Sequence, residues 1–360
     1  MKKILLILMI CLATLINGCA LVPATDVNEL NLIEGAGFDL IKQNQLKGTA
    51  FFPKFRSAGP TQFQAVSANG ETIKKVRERI DRQVRYRLIS GQLRFVGFNL
   101  DLAKKGIYPI IDTFNRDPAV GNLIQIAVVD GETADLFALK QYKNENLALY
   151  LYDLLIHNSE TGPLPFTDFA TFVYQYFEEG KDPYLPVLKI VNDEIKITGI
   201  ALFKADKLIT IIPWKYVFMM KSLIEGYKQG LHQFKLDGQY VAIDNINSKS
   251  EFDIKIKKGI PEFTVRLKMN ARIQEYTGNN PIMFPKHIKD LNTKISKELE
   301  KNGQELLALL QKNNLDPIGL GSKLEAHQRG FDAKKWEKQY PKAKIKLKVD
   351  LDILHTGIVE

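Results

Sequence analysis

Between Phe263 and Ile273 every second residue is apolar. Phe263, Val265, Leu267, Met269, Ala271 and Ile273 alternate with Thr264, Arg266, Lys268, Asn270 and Arg272. Strand side chains point to opposite faces in turn, so this run predicts one strand, out to Tyr276, with one face on a core and one in water. The chain closes on the same pattern: Ile345, Leu347, Val349, Leu351 and Ile353 alternate with Lys344, Lys346, Lys348, Asp350 and Asp352. Between the two, Ile288, Leu291, Ile295, Leu299, Leu306 and Leu310 line one stripe of a helix that follows Pro285 and stops at Asn313-Asn314. Asp316-Pro317 with Gly319 and Gly321 makes a turn, and a shorter helical piece runs around Leu324 to Trp336. Leu231 to Leu236, Tyr240 to Asn247 and Glu251 to Lys257 are further candidate strands. Strands, one long helix and then a strand specify an α+β fold, with an antiparallel or mixed sheet covered on one face.

The first half is less regular. Leu30, Leu32 and Ile33 lead into Gly35-Ala36-Gly37-Phe38-Asp39, an apolar strand whose glycines permit tight backbone packing. Lys47 to Phe55 and Gln62 to Ala68 predict two strands joined antiparallel across Ser57-Ala58-Gly59-Pro60. Ile73, Val76, Ile80, Val84 and Leu88 recur at three- and four-residue spacing and predict an amphipathic helix over 71–89 with a basic outer face. Its Arg77, Arg79, Arg82, Arg85 and Arg87 suggest anion binding, while Glu71, Glu78 and Asp81 on the same helix favour an ordinary solvated face. Gln92 to Phe98 returns to strand, Leu100 to Asn115 reads as helix despite Gly106 and Pro109, and Leu123 to Val129 is a strand closed by Asp130-Gly131. Two helices, Leu147 to Ile156 and Phe166 to Phe177, precede strands at Val187 to Val191, Ile195 to Phe203 and Leu208 to Ile212. Trp214 to Tyr227 is a connecting helix.

Lys2 and Lys3 open the chain, Ile4 to Ile16 runs apolar, and Asn17-Gly18-Cys19 closes the run. A positive start, a short apolar stretch and a small residue at the cut mark a secretory signal. The stretch is too short for a transmembrane helix, which needs roughly 20 residues. Ile16-Asn17-Gly18-Cys19 resembles the lipobox of bacterial lipoproteins, in which the cysteine takes an S-diacylglyceryl group and the peptide before it is cut away. Cleavage after Gly18 removes Cys11 and leaves Cys19 as the only cysteine. One cysteine forms no internal disulfide. The alternative, a secreted chain with Cys19 beside the cut by chance, leaves an exposed thiol in an oxidising compartment. A thioether-linked lipid removes that liability, and two acyl chains anchor stably where one holds only marginally. The expectation is a body on the outer face of a membrane, tethered by residues 19–28.

The formal charge of +9 falls to +7 without Lys2 and Lys3. Basic and acidic residues are interspersed, so nucleic acid is a poor partner for an exported chain, and anionic headgroups or an acidic protein suit the surplus better. Catalytic patterns are absent: no Gly-x-Ser-x-Gly elbow, no His-Glu-x-x-His, no phosphate-binding loop. Gly35-x-Gly37 lacks the third glycine of a dinucleotide fingerprint. His157, His232, His287, His327 and His355 are scattered, none at metal-ligand spacing with another. Asp350 and Asp352 share a strand face and read as solvated, and Phe172, Tyr174, Tyr176 and Phe177 read as core. These residues predict no enzyme, no cofactor and no metal, but a tethered binding or assembly protein.

The order of several short motifs is similar to one family. Glu275-Tyr276-Thr277-Gly278, the Lys/Glu/Leu helix through Ile295-Ser296-Lys297-Glu298-Leu299-Glu300, Leu315-Asp316-Pro317-Ile318-Gly319 with Gly321, Trp336, Tyr340-Pro341-Lys342-Ala343 and Thr356-Gly357 resemble the C-terminal domain of the Ger(x)C proteins. Those are lipoprotein C subunits of nutrient germinant receptors in endospore-forming bacteria. In the first half, Gly91-Gln92-Leu93-Arg94, Leu102 to Pro109, Arg116-Asp117-Pro118, Val128-Val129-Asp130-Gly131, Leu185-Pro186-Val187-Leu188, Ile197 to Lys204 and Asp206-Lys207-Leu208 agree. The family's Trp-Asp after the lipidated cysteine is Ala20-Leu21 here, and Thr210 stands where a Gly is usual. The resemblance implies three consecutive α/β domains with largely antiparallel or mixed sheets and packed helices. It implies a site on the outer face of the inner spore membrane and a complex with integral-membrane A and B subunits, which as a whole rather than through this subunit binds the germinant. Of site residues it carries over Cys19 alone. The expected division is a signal peptide over 1–18, a lipidated tether over 19–28, an N-terminal region over 29–205 that is either one domain or two with about 71–160 inserted, and a C-terminal α+β domain over 206–360. A solute-binding lipoprotein of a transporter is the alternative; two doubly wound lobes would be its mark.

Overall fold

The computed structural model describes residues 29–356 apart from 43–44, 55–60, 143, 227, 258 and 279–284. Cys19, the signal and tether over 1–28, the turn Ser57 to Pro60 and Gly357 lie outside the described residues. In chain order, β1 (Leu30–Leu32), β2 (Gly35–Lys42), β3 (Gln45–Lys54) and β4 (Gln62–Gly70) lead to α1 (Ile73–Asp81), β5 (Arg87–Ile89) and β6 (Phe95–Asn99). Next come α2 (Leu100–Lys105), α3 (Tyr108–Asn115), β7 (Gln125–Asp130), α4 (Thr133–Phe137), α5 (Leu147–Glu160) and α6 (Phe169–Phe177). β8 (Tyr184–Val191), β9 (Glu194–Lys204), β10 (Lys207–Pro213), α7 (Val217–Ile224) and β11 (Leu231–Leu236) follow. The chain ends with β12 (Gln239–Lys257), β13 (Ile260–Tyr276), α8 (Pro285–Lys312), α9 (Leu320–His327), α10 (Ala333–Gln339) and β14 (Lys344–Thr356).

Eight strands form one sheet in the order β10-β9-β8-β7-β6-β2-β3-β4. Its centre, β2, β6, β7 and β8, is parallel, and antiparallel hairpin partners extend both sides. Every residue of β6 is buried, as a parallel strand covered on both faces requires. On one face Val76, Ile80, Leu102, Ile110, Ile111 and Phe172 pack down from α1, α2, α3 and α6. On the other, Phe137, Leu151 and Leu155 come from α4 and α5, with Val217 to Leu223 of α7 joining them. This sheet runs past Lys204 to Pro213, and residues 71–160 supply its β6 and β7. A two-stranded parallel ribbon, β1 on β5, sits beside it.

The second large sheet has the order β11-β12-β13-β14. β11, β12 and β13 are antiparallel, whereas β14 returns parallel to β13 after the crossover through α8. The alternation at 263–273 and 345–353 is read out as predicted: Phe263 to Ile273 and Ile345 to Ile353 are buried under α8. The fold is mixed α+β. The predicted strands at 240–247 and 251–257 are one 19-residue strand, its register shifted between Asn245 and Asn247.

Three helical expectations are corrected. The helix over 71–89 stops at Asp81, and Leu88 is buried in a strand instead, its N–H donating to the Asp81 carboxylate at 3.1 Å. The helix over 100–115 is two helices, parted at Gly106, whose φ of 127° no side chain adopts readily. α6 turns Phe169, Phe172 and Gln175 inward; Tyr176 is half-buried, stacked on Tyr108, and Tyr174 and Phe177 are 57% and 63% exposed, so of the four aromatics read as core only Phe172 is. The glycines of β2 do pack tightly: a methyl on Gly35 would sit 2.7 Å from the Phe137 ring, and one on Gly37 would strike Thr133.

Candidate functional site

Buried charge concentrates where the eight-stranded sheet meets the turn after α8. Asp182 precedes β8, and Asp316 follows α8; both are buried. Asp316 N–H donates to the Asp182 carboxylate at 2.7 Å, and Asp182 N–H donates back to the Asp316 carbonyl at 3.0 Å. These reciprocal bonds join segments 134 residues apart. The Asp316 carboxylate also accepts from Leu320 N–H at 2.9 Å and Gly321 N–H at 2.8 Å, meeting two of the amides that the first turn of α9 leaves unpaired. Lys204, at the end of β9, lies 3.2 Å from the Asp182 carboxylate and 3.5 Å from Glu337, and donates to the Asn314 carbonyl at 3.4 Å.

A second strap runs alongside. Ser322 donates from its N–H to Gly180 O at 3.1 Å and from its hydroxyl to Glu179 O at 3.0 Å. Gly180 has φ 76°, and a methyl on it would lie 2.6 Å from the Gly321 carbonyl carbon. A methyl on Gly321 would in turn lie 2.5 Å from Gly180 Cα and press on the Trp336 indole. Two backbones approach here at a distance that only paired glycines allow.

Burial governs the electrostatics of this joint. It pushes the Asp316 carboxyl up to about 6, against the lowering pull of the three amides at 319–321. It also raises Asp182, opposed by the Lys204 ammonium, and lowers Lys181. A cleft of about 240 Å³ opens between Lys181, Lys204, Asn314, Trp336 and Tyr340. The Tyr340 hydroxyl, Asn314 Oδ1 and Gln175 Oε1, all at this cleft, are buried without a hydrogen-bond partner among the described residues; bound water or a small polar molecule satisfies such groups.

A larger cleft, about 540 Å³, lies between α1, α3 and the β2–β3 ribbon. Its floor is apolar (Phe38, Val76, Ile80, Phe114), and its rim carries the ion pairs Arg77–Asp117 and Arg116–Asp112.

Of the residues singled out from sequence, Cys19 lies outside the described ones. Asp350 and Asp352 are exposed, as read, beside Lys268 and Asn270 of β13. The described histidines stay apart: His232 is packed on Phe218 at 4.3 Å between centroids, and burial lowers its pKa to about 4. No group of three metal-capable side chains occurs among the described residues. Asp182 and Lys181 were missed. Asp316 and Lys204 stood in motifs but carried no sign of this joint, because nothing local announces contacts 110 and 134 residues apart in the chain, Lys204 to Asn314 and Asp182 to Asp316.

The arrangement defines a class: an α+β protein of two packed sheets, locked together by a buried aspartate pair and a glycine contact. Residues 23–190 match the family described as spore germination protein N-terminal domain, and residues 198–357 match spore germination B3/GerAC like, C-terminal. The chain belongs to this Ger(x)C family of germinant-receptor C subunits. It is 31% identical to the spore germination protein GerQC of Bacillus cereus, across 98% of this chain and 99% of that one. It is 21% identical to the putative spore germination protein YfkR of Bacillus subtilis (strain 168), across 99% and 97%. Its fold is similar to that in the crystal structure of the GerBC protein, with TM-score 0.61 and 15% identity, covering 92% of this chain and all of that one.

Proposed function

We propose that this chain is a lipid-anchored C subunit of a nutrient germinant receptor. In this reading Cys19, exposed by cleavage after Gly18, carries the diacylglyceryl group, and the body sits on the outer face of the inner spore membrane. It assembles with integral-membrane A and B subunits, and the complex rather than this subunit alone takes up the germinant. The end-to-end match to GerQC carries the reading, joined by the lipobox at Ile16 to Cys19. The described helices include none long and apolar enough to cross a membrane, so an attachment through Cys19 fits what they offer. The division into an N-terminal region (29–205) and a C-terminal domain (206–360) belongs to the same proposal, with β10 of the second segment completing the sheet of the first. Within it the Asp182–Asp316 joint is the relay: a push on one sheet reaches the other through it. A solute-binding lipoprotein is disfavoured, since the β11–β13 meander is no doubly wound lobe.

Deletion of the coding sequence in a host without paralogues is the test. Loss of response to one nutrient set, with a receptor-independent trigger still effective, is expected; an unchanged response across a broad panel overturns the reading. Cys19→Ala is expected to remove the protein from the membrane fraction and abolish the same response.

A further inference from the structure

The basic helix stands at the point where the chain enters the fold. β1 pairs with β5, Leu30 opposite Arg87, and Asn31 Nδ2 donates to Tyr86 O at 2.7 Å. The stretch leaving α1, Arg82 to Arg87, therefore lies at the entry end of β1, beside Glu29. From 71 to 89, Lys74, Lys75, Arg77, Arg79, Arg82, Arg85 and Arg87 stand against Glu71, Glu78 and Asp81. Part of this charge is spent internally. Lys75 and Arg82 share Glu78, Arg79 lies 3.7 Å from Glu71, and Arg77 bonds to Leu88 O and lies 3.9 Å from Asp117. Lys74, Arg85 and Arg87 are exposed and have no carboxylate at ion-pair distance among the described residues; Arg85 lies over the Tyr86 ring at 4.9 Å.

We infer that this face, the unpaired Lys74, Arg85 and Arg87 with Glu78-bound Arg82 next to them in the chain, rests on anionic lipid headgroups and fixes the orientation of the anchored body. The inference rests on the Cys19 anchor proposed above. Residues 20–28 number nine, and an extended chain of that length spans about 30 Å. Whatever surface receives the lipid of Cys19 thus lies within that reach of Arg87. The wet face of the β11–β14 sheet is basic as well, and part of its charge is matched: Lys268 with Glu251 at 2.9 Å, Arg272 with Asp244 at 2.9 Å, and Lys257 and Lys344 with Glu262 at 2.7 and 3.2 Å; exposed Lys346 and Lys348 have no such partner among the described residues and are the rival surface. Unmatched cations close to a tether are the ones that gain from an anionic surface, within a Debye length of about 8 Å.

The lipidated full chain, reconstituted on phosphatidylcholine vesicles and on vesicles one third phosphatidylglycerol, gives two separate readouts. Flotation with both vesicle types reports the anchor. Amide hydrogen exchange over 74–89 reports the face, and is expected to slow about fivefold on the anionic vesicles only, with the effect lost in high salt. Arg82→Glu/Arg85→Glu/Arg87→Glu is expected to abolish the slowing, the three Lys replacements to keep it, and Lys346→Glu/Lys348→Glu to leave it unchanged. Flotation with both vesicles but equal exchange overturns the inference and leaves the anchor standing. Loss of the slowing in the Lys346/Lys348 variant overturns it too, by assigning the contact to the sheet. Failure to float with phosphatidylcholine overturns the anchor reading, and with it the premise of this one.

Discussion

Asp316 shows how one buried carboxyl can tie two sheets and also sense pH. Its ordinary value is 3.8, and burial raises it to about 6 in the fold. Between those values the folded chain holds a proton that the unfolded chain has lost. Stability from this group is therefore fully present below about pH 4 and is lost as pH rises to about 6, after which it is flat. Two units correspond to about 3 kcal/mol. Asp182, raised by burial in the same way, slopes in the same direction. Asp316→Asn should remove the Asp316 part of the slope. Denaturant midpoints of both proteins at pH 4 and pH 7 check it: the wild type should lose more stability over that interval than the variant. Equal losses would mean that the carboxyl ionises in the folded chain as it does in water. The sequence displayed Asp316 in a turn with Pro317, Gly319 and Gly321, and a turn is what forms. That the turn docks on Gly180 and Asp182 was hidden, since its partners lie in another region and the recognition is by backbone amides that every residue has.

At the scale of elements, legibility followed the range of the forces. The β11–β14 sheet was readable because each strand is long enough to show period two and α8 long enough to show its stripe. The eight-stranded sheet was readable only as pieces: β6 and β7 are apolar on both faces and so carry no alternation, and nothing local sets β2 beside β6. The end of α1 was misread because Val84 and Leu88 continue the helical spacing by coincidence, whereas pairing of β5 with β1 claims Leu88. The α8 stripe offers the sharpest check on packing. Leu306 is fully buried in the apolar cluster to which α7 and β14 also contribute. Leu306→Ala should cost about 2–5 kcal/mol by leaving a cavity. Lys301→Ala, at an exposed position and paired with half-buried Glu298 at 3.7 Å, should change stability by less than about 0.5 kcal/mol. Chemical denaturation of the two variants separates a packed crossover helix from one lying loosely on the sheet.

For the whole molecule the question is whether the two large sheets are one cooperative unit, as a relay between them requires. A single buried apolar cluster runs from Phe95 and Leu151 through Val217 to Leu223 of α7 and on to Phe263, Leu307 and Leu347. Lys221 of α7, 1% exposed, donates to the carbonyls of Ser159 and Gly162, the latter at 2.9 Å, and Tyr216 Oη donates to Glu305 of α8 at 3.2 Å. Separating the sheets would expose α7 on both sides and strand an ammonium, so partial unfolding costs nearly as much as complete unfolding. Trp336, buried against Phe263 and Gly321, reports the joint once Trp214 is replaced by Phe. Its fluorescence and the far-ultraviolet circular dichroism should then lose signal at one denaturant midpoint. Gly321→Ala, which forces the two backbones apart, should lower that midpoint for both probes together, by a stability loss of about 1–3 kcal/mol. Two midpoints in the parent chain, or an effect of Gly321→Ala on the fluorescence alone, would show sheets that unfold independently. The joint would then be a hinge between separate domains, and a displacement at one sheet would not be carried to the other by packing.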